Sequence, residues 1–189
     1  MKQNNQVRIA FTGPWNTGKS TIIKKLEEDL SKSVNDNQWC DPKKVSIYPE
    51  TARQVLDLIA WGDFDMSDFQ KKISKLEDNR LLEIEQDTAD ILLIDRTCMD
   101  WLVYSIFNVW EWYPIRMNQD SKWDYDLVIL FTEEFKKTQT EEFSHYNDDR
   151  LVDLFRNIMR FLYWDKVVEF KNWWDIKDIK KVIYNLINK

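Results

Sequence analysis

Glycine is nearly absent from this chain, with 3 in 189 residues, yet Gly13 and Gly18 stand five apart in FTGPWNTGKSTIIKKL, Phe11 to Leu26. Glycine admits backbone angles and close approaches that other residues resist, so a chain this sparing with it uses it where geometry demands it. Histidine and cysteine are scarcer still. His145 stands alone, and Cys40 and Cys98 have no CxxC spacing, which makes a poor zinc set and leaves both as expected reduced thiols. His145 itself reads as a solvent-facing loop residue. No apolar run approaches the ~20 residues that span a bilayer. The opening MKQNNQ has neither the apolar core of a secretory signal nor an Arg-rich leader, so a soluble, cytoplasmic protein without a membrane partner is expected. Positive charge is not in excess either. Lys and Arg number 27 against 33 Asp and Glu, interspersed, for a net charge of -6, which argues against the cationic face that a nucleic-acid backbone requires.

Apolar residues make up 43% of the chain and aromatics 14%, with 10 tryptophans, ample for a buried core in one domain over 1–189. Five β-prone runs stand out: VRIAFT from Val7, VSIY from Val45, ILLID from Ile91, LVILF from Leu127 and KVVEF from Lys166. They are continuous rather than alternating, as in strands covered on both faces. Helical patterns lie between them. Ile22, Ile23, Leu26 and Leu30 form one apolar stripe, Ala52, Val55, Leu56 and Ile59 a second, and Leu151, Leu154, Phe155, Ile158, Phe161 and Leu162 a third. Ser67 and Gln70 suggest a capping box before a long helix, and Asp175 begins a last one through Leu186. Strands alternating with helices imply right-handed βαβ crossovers and an α/β fold, a parallel sheet between two helical layers.

Gly13, Gly18, Lys19 and Ser20 satisfy G-x-x-x-x-G-K-[ST] between a strand and an amphipathic helix, the context this motif requires. Main-chain N–H groups from Gly13, Pro14, Trp15, Asn16, Thr17, Gly18, Lys19, Ser20 and Thr21, apart from proline, would cradle phosphate at the positive end of the helix. Lys19 would reach the β- and γ-phosphates, and Ser20 would ligate Mg²⁺. Asp95 ends an apolar strand at the same sheet edge, where a carboxylate can hold Mg²⁺ or accept a proton from an attacking hydroxyl. Arg96 can clamp phosphate or neutralise transition-state charge. Glu50, in IYPETAR, can bind a sugar hydroxyl or act as base, and Arg53 can pair with it or hold substrate. Trp101, Tyr104 and Trp112 can stack on a planar acceptor, and the same aromatic segment suits a homodimer interface. Residues 133–150 suit a lid, with Lys136, Lys137, Arg150, Arg156 and Arg160 as the available cations in and after it. Asn172 and Trp173 lie where the adenine is expected.

With these residues in place, the chain resembles the P-loop nucleoside and nucleotide kinase superfamily. The succession IAFTGPWNTGKST, PETAR, a capped helix and ILLID before an aromatic helix is most similar to the ribosylnicotinamide-kinase-like ATPase domains. That resemblance implies a five-stranded sheet in the order 2-3-1-4-5 and Mg-ATP-dependent transfer of a phosphoryl group to a small nucleoside, nucleotide or ribosylnicotinamide-like acceptor. It also implies that Gly13 to Thr21 bind ATP, that Asp95 binds metal or activates the acceptor, and that Glu50 and Arg53 line the acceptor pocket. The Asp95-Arg96 pair is as in thymidylate and deoxynucleoside kinases, and the lid segment has no Asp-Gly-x-Arg turn. Two alternatives stand beside this reading: a polynucleotide kinase, against which the acidic balance argues, and an ATP-dependent switch or interaction module.

Overall fold

The computed structural model describes residues 6–15, 17–32, 43–58, 66–109, 124–132, 149–171 and 176–188. In chain order the elements are β1 (Val7–Thr12), α1 (Lys19–Ser31), β2 (Val45–Tyr48), α2 (Thr51–Leu58), α3 (Met66–Gln86), β3 (Ile91–Asp95), α4 (Asp100–Val109), β4 (Leu127–Phe131), α5 (Asp149–Tyr163), a 3-10 turn (Trp164–Lys166), β5 (Val167–Phe170) and α6 (Ile176–Ile187). All strand pairings are parallel and the order is β2-β3-β1-β4-β5, as the family resemblance implies.

Side chains alternate across a strand, so each continuous apolar run feeds two cores. Ala10, Leu92, Ile94, Val128 and Leu130 face α4 and α5, where Val103, Tyr104, Leu151, Phe155 and Met159 are buried with them. Ile9, Phe11, Leu93, Ile129 and Phe131 face the other way, onto Ile22, Ile23 and Leu26 of α1 and Ile179 and Ile183 of α6. The register sets Phe11 of β1 beside Asp95 of β3 and Ile129 of β4, which brings the residues after three strands to one carboxyl edge.

Three expectations need correction. The apolar stripe of α5 runs through Leu151, Phe155, Met159 and Tyr163, while Phe161 is 84% exposed. Two residues beyond Met159, at 3.6 residues per turn, Phe161 falls on the opposite side of the helix. Lys166 belongs to the 3-10 turn rather than to β5, and α3 already begins at Met66, ahead of the expected Ser67 cap.

Candidate active site at the carboxyl edge of the sheet

The first turn after β1 explains the glycine economy. Gly13 has φ +123°, and a Cβ on it would collide with the main-chain oxygen of Phe131. Gly18 has φ +81° and caps α1 in a left-handed conformation. Between them the loop folds inward on Lys19. Its Nζ donates to the main-chain oxygens of Gly13 (3.1 Å) and Pro14 (2.6 Å) and to Thr17 Oγ1 (3.0 Å). Thr17 Oγ1 in turn donates to Pro14 O at 3.1 Å. Burial, then repulsion from Arg96, lowers the Lys19 ammonium to about 7, against attraction from Asp95, Glu50 and Asp100. The next residue bridges to β3, with Ser20 Oγ donating to Asp95 Oδ2 at 2.7 Å.

The other carboxylate oxygen, Asp95 Oδ1, is buried and has no partner among the described residues. Such an orphan is costly unless something is meant to meet it. A hydroxyl beside a half-satisfied carboxylate is a hard oxygen donor set, which fits Mg²⁺. No group of three or more His, Cys, Asp or Glu is placed to hold a metal among the described residues. Mg²⁺ needs none, since it is commonly held by one or two carboxylates with phosphate and water completing its shell.

Arg96 follows β3 in the left-handed region, with φ +77°. Its amide donates to Phe11 O at 2.8 Å. The guanidinium turns back across the loop: Nε donates to Glu50 Oε1, and Nη1 donates to Gly13 O (3.0 Å), Asp100 Oδ2 (3.1 Å) and Tyr104 Oη (3.3 Å). Its carbon lies 5.1 Å from the Trp15 ring centroid and 5.3 Å from that of Tyr104, within cation–π range of both. Burial opposes its charge, but Glu50, Tyr104, Asp100 and Asp95 more than offset that, and the guanidinium stays protonated.

The structure therefore brings together Gly13, Pro14, Trp15, Thr17, Lys19, Ser20, Glu50, Asp95 and Arg96. Thr21 is exposed on the outer face of α1. Trp101 packs against Val55 and Ile73. Glu50 pairs with Arg96. Asn16, the side chain of Arg53, Trp112, residues 133–148 with Lys136, Lys137 and His145, and Asn172 and Trp173 lie outside the described residues. Arg156 and Arg160, read as lid cations, both bond Glu169 of β5, at 2.8 and 3.0 Å.

Several site residues escaped the sequence reading. Asp100 accepts from Thr12 Oγ1 (2.7 Å), Thr97 Oγ1 (2.6 Å) and the Thr97 amide (3.0 Å), besides Arg96. Burial raises its carboxyl, while Arg96, Thr97 and Thr12 pull it back down. Its place four residues after Arg96, opening α4, was the available signal. Arg80, in α3, is buried and donates to Glu77 Oε1 (2.9 Å), Thr51 Oγ1 (3.2 Å), Tyr48 O (3.1 Å) and Asp95 O (2.8 Å). Thr51 Oγ1 also bonds Glu77, whose carboxyl burial pushes up against the pull of Arg80.

A family profile described as an AAA domain matches residues 8–178. The chain belongs to that family. No curated protein matches this AAA-domain chain, but solved structures do. It is similar to thymidylate kinase from Candida albicans at 12% identity, covering 99% of this chain and 93% of that one, with a TM-score of 0.64. It is similar to thymidylate kinase from Ehrlichia chaffeensis at 16% identity, covering 95% and 99%, with a TM-score of 0.62. It is also similar to the NadR protein in complex with NR at 16% identity and a TM-score of 0.65, covering 98% of this chain and 52% of NadR. The AAA-domain chain thus has the P-loop kinase-like fold.

Proposed function

We propose that this AAA-domain protein is a phosphotransferase that moves the γ-phosphoryl group of ATP, with Mg²⁺, to a small nucleoside, nucleotide or ribosylnicotinamide-like acceptor. The observation that carries this reading is the pairing of Ser20 with a half-satisfied, buried Asp95, directly behind a phosphate loop whose lysine is curled inward. Likeness in fold to thymidylate kinases and NadR supports the reaction class.

In this reading the loop amides from Gly13 to Thr21 hold the phosphates, and Lys19 exchanges its carbonyl partners for phosphate oxygens. Ser20 and Asp95 would hold Mg²⁺, which on binding neutralises charge on the phosphates. Glu50, held by Arg96, orients the acceptor hydroxyl and takes its proton as the new P–O bond forms and the bond from the γ-phosphorus to the β,γ-bridging oxygen breaks, releasing ADP. Arg96, which already spans Glu50 and the Gly13 carbonyl, offers its positive charge between acceptor and loop. Catalysis here is mainly positioning and electrostatics.

The test is an acceptor screen with γ-labelled ATP over nucleosides, nucleoside monophosphates, ribosylnicotinamide and DNA oligomers. One labelled small-molecule product is expected. Label on DNA alone would replace the reading with a polynucleotide kinase, and label only in inorganic phosphate would replace it with a nucleotide-dependent switch.

A further inference from the structure

We infer that Arg80 is a positioning residue for phosphoryl transfer, fixing from α3 the main chain on which Glu50, Asp95 and Arg96 are mounted. The inference rests on the kinase reading above and adds to it a residue on an element outside the phosphate loop and the acceptor motifs.

Parallel strands β2 and β3 end side by side, and carbonyls at a strand end leave the ladder and need other donors. Arg80 Nη2 supplies them for both, at 3.1 Å to Tyr48 O and 2.8 Å to Asp95 O. Its Nη1 holds Thr51, the first residue of α2. Glu50 lies between Tyr48 and Thr51, so the chain is anchored on both sides of it. The Asp95–Arg96 peptide is likewise held at both ends, its C=O by Arg80 and its N–H by Phe11 O. That double hold matters because Arg96 is a non-glycine residue at φ +77°. A side-chain-bearing residue keeps such a conformation only where its surroundings over-determine it. This turn carries the Arg96 guanidinium back to Glu50 and Gly13 O.

Glu77 completes the arrangement by fixing one edge of the fork. Only a planar guanidinium can serve two strand ends, a hydroxyl and a carboxylate from one position; an ammonium cannot. Among the described residues none of the four Arg80 hydrogen bonds reaches the phosphate loop. Its loss should therefore weaken turnover while leaving the grip on metal-free ATP in place. A residue that merely stabilised the fold would weaken both together.

The experiment uses the full chain with Arg80→Lys, Arg80→Met and Arg80→Met combined with Glu77→Gln, the last so that no buried carboxylate is stranded. Affinity for ATP without Mg²⁺, kcat, acceptor KM, thermal stability and amide exchange at Arg96 are measured. Since misplacement by about 1 Å costs about 10²-fold, kcat should fall by about that factor in all three, with affinity for ATP in the absence of Mg²⁺ unchanged. Exchange at the Arg96 amide should accelerate about tenfold. In Arg80→Ala, millimolar guanidinium should restore part of kcat. A folded variant with wild-type kcat and wild-type Arg96 exchange overturns the inference, as does parallel loss of kcat, ATP affinity and thermal stability. If the wild-type protein transfers phosphoryl to no acceptor, the kinase reading falls separately; unchanged Arg96 exchange in the variants would then overturn the positioning claim, and faster exchange would uphold it.

Discussion

Ser20 and Asp95, 75 residues apart in sequence, meet through a 2.7 Å hydrogen bond from the serine hydroxyl to one carboxylate oxygen, and the other oxygen is buried without a partner among the described residues. The bond joins the helix that follows the Gly13–Gly18 loop to the strand beside β1, so the proposed metal ligands already face each other.

Asp95→Asn keeps the side-chain shape and removes the charge. Thermal stability should change little, while the gain in ATP affinity that Mg²⁺ confers should vanish and kcat should fall at least about 10²-fold. Titrating ATP with and without magnesium into both proteins checks this.

In the proposed reading, Lys19 makes ATP binding pH-dependent. Free, its ammonium titrates at about 7, so at pH 8 it is largely neutral, whereas among phosphates the charged form is favoured. Binding at pH 8 should therefore take up close to one proton, and the uptake should vanish below about pH 6, where Lys19 is already charged. In the unliganded protein the linkage has the opposite consequence for stability. The unfolded chain holds this proton up to the ordinary lysine value of 10.5 and the folded chain only up to about 7, so stability rises with pH across that window and the penalty is greatest below it. Calorimetry in buffers of different ionisation enthalpy measures the uptake, and Lys19→Met should abolish it.

Arg96 is held between two buried carboxylates. Arg96→Met strands Glu50 and Asp100 and should cost about 3–5 kcal/mol in denaturant unfolding. Glu50→Gln should leave stability nearer wild type while lowering kcat by about 10²-fold or more, as loss of a general base does.

The two phenylalanines of α5 should behave oppositely. Phe155 is fully buried and Phe155→Ala should cost about 3–5 kcal/mol. Phe161 is 84% exposed and Phe161→Ser should stay within about 0.5 kcal/mol, read from the same unfolding curves.

These residues also mark what the sequence could tell. Gly13 and Gly18 were legible because their backbone angles exclude side chains, and no other residue type carries so direct a statement of geometry. The strands buried on both faces were legible because their runs are mostly apolar, broken only by Arg8 and ending on Thr12 and Asp95, and with the sheet order came the edge that gathers Glu50, Asp95 and Arg96. Phe161 misled because a helix stripe read in steps of three and four accepts neighbours on both of its margins. Arg80 left no mark, since it sits in a helix rich in charge and two of its partners are main-chain oxygens, which have no letter in a sequence. Asp100 was visible only as an acid four residues after an arginine, because one of its other donors, Thr12, comes from the end of β1, 88 residues away in sequence.

The most direct test of the account is calorimetric titration of Mg-ATP into the wild-type protein beside Gly13→Ala, whose added methyl would meet Phe131 O. Saturable one-to-one binding by the wild type, lost in the variant, is the result predicted; no heat of binding from the folded wild-type protein would contradict it.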